Sequence, residues 1–120
     1  MLWCRSMVER VEDCAAYEAA IQVLARPWTG LILSLLLPGP RRYVELREGA
    51  PGVGDKVLSA RLKELVERGL VDRQVDPGPP VCVSYALTAH GKAFGRARHA
   101  LEAWGEHVQE AAGRTRGTRR

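Results

Sequence analysis

At Gly69 the spacing of apolar residues changes, and few small folds accommodate that change. Before it, Leu58, Leu62 and Leu65 recur at the interval of one helical face. After it, Val71, Arg73 and Val75 alternate with Asp72, Gln74 and Asp76. Val81, Val83, Tyr85 and Leu87 then alternate with Cys82, Ser84 and Ala86, which is the period of a strand. Pro77-Gly78-Pro79-Pro80 separates the two alternating runs, so they form a hairpin with a Pro/Gly-rich tip. The helix before them begins near Gly54 or Asp55, where a carboxylate suits the positive end of the helix dipole. Gly69 stands where a C′ glycine ends a helix, and Leu70 can pack back on the last turn in the Schellman manner.

The rest of the chain arranges itself around this helix and hairpin. Residues 15–25 are rich in helix formers and place Ala16, Ala20, Ile21 and Leu24 at helical spacing, with Pro27 as the stop. Trp28 to Leu37 is too apolar to be amphipathic and predicts a central helix buried on most sides. Pro38-Gly39-Pro40 breaks it. Arg41 to Gly49 has room for a short third helix carrying Tyr43 and Leu46, and Pro51-Gly52 makes a turn. Thr88 can cap a last helix running to about Ala111, with Phe94, Leu101, Trp104 and Val108 as apolar positions and Gly91 and Gly95 as weak points. After Gly113 no apolar residue remains, which predicts a disordered basic tail over 114–120. The fold class is mainly α with a small antiparallel β-hairpin. Helix, buried helix, short helix, turn, polar-faced helix and hairpin follow one another in the order of a winged helix-turn-helix, within one domain spanning 1–113.

Composition narrows the function mostly by exclusion. No apolar run approaches the roughly 20 residues of a membrane helix, and Arg5, Glu9, Arg10, Glu12 and Asp13 occupy the place of a signal peptide's apolar segment. A cytoplasmic protein without membrane contact is expected. Cys4, Cys14 and Cys82 fit neither a disulfide framework nor a metal spacing. His90, His99 and His107 are too far apart on a helix to chelate, so no metal and no cofactor is expected. There is no nucleophile with an evident base, no phosphate loop and no converging carboxylate pair, which argues against an enzyme.

Charge is informative only when localised. The net +4 comes from the four arginines beyond Gly113, since residues 1–110 carry 14 basic and 14 acidic side chains. From Arg26 to Arg73, however, nine basic residues face six acidic ones. On the helix of the leucine stripe the opposite face carries Lys56, Ala60, Lys63 and Glu67, with Ser59 beside them. The lysines can meet phosphates or guanine acceptors, Ser59 can donate or accept, and Ala60 can approach a thymine methyl closely. Arg61 lies at the flank, set for a backbone phosphate or an internal carboxylate. Arg41, Arg42, Tyr43, Arg73 and Pro79 are further candidates for phosphate or wing contacts. A rival reading, a winged-helix interaction module without specific DNA binding, turns Glu64, Glu67 and Asp55 toward a basic partner.

The ordered motifs resemble the HxlR family of bacterial winged-helix transcription regulators, in the MarR-like superfamily. The residues that carry the resemblance are Trp28, Gly39-Pro40-Arg41-Arg42-Tyr43 with Glu45-Leu46, Pro51-Gly52-Val53, Lys56-Val57-Leu58-Ser59, Arg61-Leu62-Lys63, Leu65, Gly69-Leu70-Val71, Tyr85, Leu87-Thr88, Gly91 and Trp104, over about residues 14–108. The resemblance implies a homodimer that binds double-stranded DNA at a palindromic operator through two recognition helices, with the terminal helices as the interface. Tyr17, Ile21, Leu24, Leu101 and Trp104 are the apolar side chains that such an interface would bury. It also implies gating by a small-molecule or redox signal at Cys14, placed just before the first helix, with a passive cysteine as the alternative. The chain departs from the family pattern at Ala15, where proline is usual, and at Arg26-Pro27, where glycine and lysine are common.

Overall fold

The computed structural model describes residues 11–118, with side chains described over 14–114. Helix α1 (Val11–Ala25) leads through a turn at 26–28 to α2 (Thr29–Leu36). A two-residue strand β1 (Arg41–Arg42) passes directly into α3 (Tyr43–Gly49), and a turn leads to α4 (Asp55–Glu67). The hairpin is β2 (Val71–Asp76) and β3 (Cys82–Leu87). A single turn of helix, α5 (Ala89–Lys92), precedes the long α6 (Phe94–Thr118).

One core holds these elements. Ile32, Leu33 and Leu36 from α2, Leu46 and Ala50 from the α3 region, Leu58, Leu62 and Leu65 from α4, and Val71, Tyr85 and Leu87 from the hairpin are buried together. At about 1.5–3 kcal/mol for each fully buried aliphatic side chain, the three α4 leucines are a principal attachment of that helix. The expected C-terminal device of α4 is present. Gly69 has φ +78, its N–H donates to the Val66 carbonyl, and the Leu70 N–H donates to the Leu65 carbonyl, which is the Schellman pair.

Several elements differ from expectation for physical reasons. Arg41 and Arg42 form β1 instead of opening the third helix, because the backbone of β3 offers them a ladder: Arg41 pairs with Tyr85 and Arg42 with Ser84. The sheet is therefore three-stranded, with β3 central between β1 and β2. Helix α2 is buried along Thr29, Ile32, Leu33 and Leu36, yet it leaves Leu31 exposed, so it is not enclosed on most sides. The last helix is divided at Ala93, and α6 continues past Ala111 to Thr118, so residues 114–118 are helical where a disordered tail was expected. Adding a residue to an already nucleated helix costs far less than starting one, so α6 carries on through Gly113 and Gly117 although glycine does not favour a helix. Cys4 and the last two arginines lie outside the described residues. Among the described residues no single helix is long and apolar enough to cross a membrane.

Thr88 joins the end of α4 to the start of α5. Its hydroxyl donates to the Gly69 carbonyl at 2.7 Å and accepts from the Gly91 N–H at 3.1 Å, while its own N–H donates to the Leu70 carbonyl at 3.0 Å. Gly91 is buried, and a Cβ there would run into the Leu70 carbonyl oxygen and crowd Leu87. Gly91→Ala is therefore expected to destabilise the fold by about 1–3 kcal/mol, as other overpacking changes do. Thermal or urea unfolding checks this, and an unchanged midpoint would mean that the strand end moves aside freely.

Candidate nucleic-acid interface

Helix α4 presents to solvent the side chains expected from its period. Lys56, Ser59, Ala60 and Lys63 are all exposed, opposite buried Leu58, Leu62 and Leu65. Ser59, Lys63 and Glu67 line one side of a cleft of about 430 Å³, and Arg73 and Tyr85 of the wing line it too. The hairpin register places Arg41, Tyr85 and Arg73 on one face of the sheet, and Arg42, Ser84 and Gln74 on the other. Arg73 thus stands beside Lys63, whereas Arg42 lies over the opposite face near Cys82. Pro79 is exposed at the wing tip.

Two of the expected cations are engaged within the chain. Arg61 is only 13% exposed at its side chain. Its Nε donates to the Pro27 carbonyl at 2.9 Å and its Nη1 to Glu64 at 3.2 Å, so it meets the internal carboxylate and not the outward face. Arg41 Nε donates to the Leu35 carbonyl at 3.1 Å, close to the last turn of α2, where a cation suits the negative end of the dipole. Arg42 has its backbone N–H capped by Glu45 at 3.0 Å and its side chain exposed.

Arg26 was absent from the expected site and is central to its support. Its Nη2 donates to Glu64 Oε1 at 2.6 Å, and Glu64 also receives Arg61. This surface pair holds the Glu64 carboxyl below the usual carboxylate range, through the hydrogen bond from Arg26 first, and raises the Arg26 guanidinium in turn. Arg26-Pro27 thus has a structural partner on α4: one residue binds Glu64 and the other's carbonyl receives Arg61. No sequence spacing signals a contact across 38 residues.

The same contacts weaken the interaction-module reading. Glu64 is engaged by two arginines, and Asp55 lies 3.7 Å from Arg47 and accepts from the Tyr43 hydroxyl at 3.1 Å. Two of its three carboxylates are therefore engaged on this chain, while the lysines of α4 face out.

A one-sided helix preceded by a short helix and turn, and flanked by a hairpin bearing a cation, is the geometry of a winged helix-turn-helix. The family model for the HxlR-like helix-turn-helix matches residues 23–112. The chain belongs to that family. It is 39% identical over 97 residues to the HTH-type transcriptional regulator YodB of Bacillus subtilis, covering 81% of this chain and 87% of YodB. The structure of reduced YodB superposes with a TM-score of 0.70 at 40% identity, covering 74% of this chain and 87% of that one. The redox regulator HypR in its oxidised form gives a TM-score of 0.70 at 28% identity, over 77% of this chain and 95% of that chain. A MarR-family regulator from Porphyromonas gingivalis W83 gives 0.70 at 30% identity, over 75% and 88%. This HxlR-like chain is a helix-turn-helix transcriptional regulator, and its family and relatives are regulators rather than enzymes.

Cys14 is exposed and lies within α1, one turn from Val11, instead of preceding the first helix as the resemblance implied. Cys82 is half-buried in β3.

The Arg26–Glu64 pair generates a pH signature. A carboxyl depressed in the folded state contributes stability above its unfolded value, about 4.3 for glutamate, and loses that contribution as pH falls through the folded value. Unfolding measured from about pH 6 down to about pH 3 should therefore show a loss in the wild type that is smaller in Glu64→Gln. Parallel curves for the two proteins would remove the pair from the account.

Proposed function

We propose that this HxlR-like regulator acts as a homodimer on a palindromic operator, inserting the outward face of α4 into the major groove of each half-site while the wing lies along the adjacent backbone. The protein then works in the cytoplasm, at the nucleoid. The observation that carries this reading is the outward quartet Lys56, Ser59, Ala60 and Lys63 on a helix whose Glu64 and Asp55 are engaged elsewhere. Lys63 and Arg73 flank one cleft, which suits a phosphate strand passing between helix and wing. Arg42 at the other face of the sheet offers a second phosphate contact.

Dimerisation is supported by the exposed apolar side chains of the terminal helices. Tyr17 is 66% and Trp104 64% exposed, and Ile21, Leu101 and Val108 are exposed as well, with Leu24 half-buried beside them. A symmetric partner would cover such a surface. Helix α6 has 25 residues and so extends about 37 Å, long enough to run along a two-fold axis beyond the winged core. Half-sites would then fall one helical turn apart, at about 34–36 Å.

Gating by an oxidant or electrophile is supported by the exposure of Cys14 on a terminal helix and by the solved forms of YodB, which include a quinone-bound one at 36% identity.

Lys56→Ala and Lys63→Ala should each weaken operator binding by about 1–3 kcal/mol where the lysine meets a base, and by less where it meets phosphate alone. Log Kd for the wild type should rise steeply with log salt, and the phosphate-directed variant should lower that slope by about one. Unchanged affinity in both variants, or a flat salt response, would overturn the assignment of α4. Diamide or a quinone should change operator affinity of the wild type but not of Cys14→Ser. Equal responses would exclude Cys14 as the sensor.

A further inference from the structure

The first residue of α3 reaches the DNA-facing side of α4. The Tyr43 hydroxyl lies 3.1 Å from Asp55 Oδ1, 3.3 Å from the Asp55 carbonyl oxygen and 3.2 Å from Ser59 Oγ. A phenol has one proton to give, and both Asp55 oxygens can only accept. If that proton pointed to Ser59, the phenol oxygen would face a carboxylate and a carbonyl with no hydrogen between them. Donation to Asp55, with Arg47 3.7 Å from the same carboxylate, removes that repulsion and makes a charge-assisted bond. The short contact between Tyr43 and Ser59 then has one consistent sense: the Ser59 hydroxyl donates and the Tyr43 oxygen accepts.

This direction determines what Ser59 can offer outward. A free serine hydroxyl is an undiscriminating reader of base edges because it both donates and accepts. Here its single proton is turned inward, and only oxygen lone pairs remain toward solvent. In the major groove such a group can accept from the amino groups of adenine N6 or cytosine N4. It is repelled by guanine N7 and O6 and by thymine O4.

We infer that Tyr43 is a specificity-determining residue that acts through Ser59, making it an acceptor-only reader of an amino-bearing base edge. This rests on the operator-binding role of α4 and adds to it a rule for one base pair. Tyr43 need not touch DNA: its hydroxyl is occupied on both sides by α4.

The test uses the purified full-length protein and duplexes selected by it from random sequence. Affinities are measured for every base substitution within a half-site, for the wild type and for Ser59→Ala, Tyr43→Phe and Asp55→Asn. The pair at which Ser59→Ala stops discriminating should present adenine or cytosine to the helix. Replacing that base by an analogue lacking only the exocyclic amino group should weaken wild-type binding about fivefold, the worth of one neutral hydrogen bond, and leave Ser59→Ala unaffected. Tyr43→Phe, which releases the serine proton, should accept guanine or thymine there to within about twofold while keeping the wild-type salt slope. Asp55→Asn, whose amide can donate to the phenol oxygen and turn the phenol proton onto Ser59, should relax the preference in the same direction. A wild-type preference for guanine or thymine at that pair overturns the inference while leaving operator binding intact. So does a Ser59→Ala profile equal to that of the wild type, or a folded Tyr43→Phe with an unchanged base profile. Binding that prefers no sequence at all sinks the operator reading itself, and the inference with it.

Discussion

Burial of Leu58, Leu62 and Leu65 against α2, α3 and the hairpin is the constraint on which the rest depends. A helix so attached by one stripe cannot roll without exposing three leucines, each worth about 1.5–3 kcal/mol when fully buried. Its opposite face is therefore fixed in direction before any polar residue is considered. The polar contacts then refine the position. Arg61 and Arg26 hold the middle of the helix to the turn after α1, and Tyr43 holds its first turns to α3. Because these polar groups lie at the flanks, the outward face is left to the lysines, Ser59, Ala60 and Glu67.

This arrangement gives a carboxylate of α4 a function within the fold. Glu64 would be unfavourable next to phosphate if it were solvated alone. Paired with Arg26 and Arg61, it serves as an anchor between helices, and the three groups together contribute one net positive charge. The position of Arg26 is thus explained by what α4 offers it.

Where residue spacing reports structure directly, the sequence was readable. The leucine stripe, Gly69, the alternation of the hairpin and the Thr88 cap each act over four residues or fewer, and each is found where its local chemistry placed it. What the sequence could not disclose depends on partners distant along the chain. A strand of two residues has no periodicity, so β1 is visible only through its pairing with β3. Arg61 reads equally well as an outward cation or an inward clamp until the Pro27 carbonyl is seen beside it. The contact of Tyr43 with Ser59, sixteen residues apart, is of the same kind. The end of α6 differs in another way: lack of apolar residues predicts lack of packing, but a helix that is already nucleated can be prolonged without packing.

The knot at Thr88 has a mechanical meaning. One side chain and one missing Cβ bind the carbonyls that end α4 to the residues that begin α5, and α6 starts only two residues later. Near its start, Arg98 of α6 donates to Ser34 of α2 at 2.9 Å, so the base of the long helix is clamped from two sides. These contacts tie the start of α6 to α2 and to the end of α4, so a displacement at the base of the long helix is passed to both.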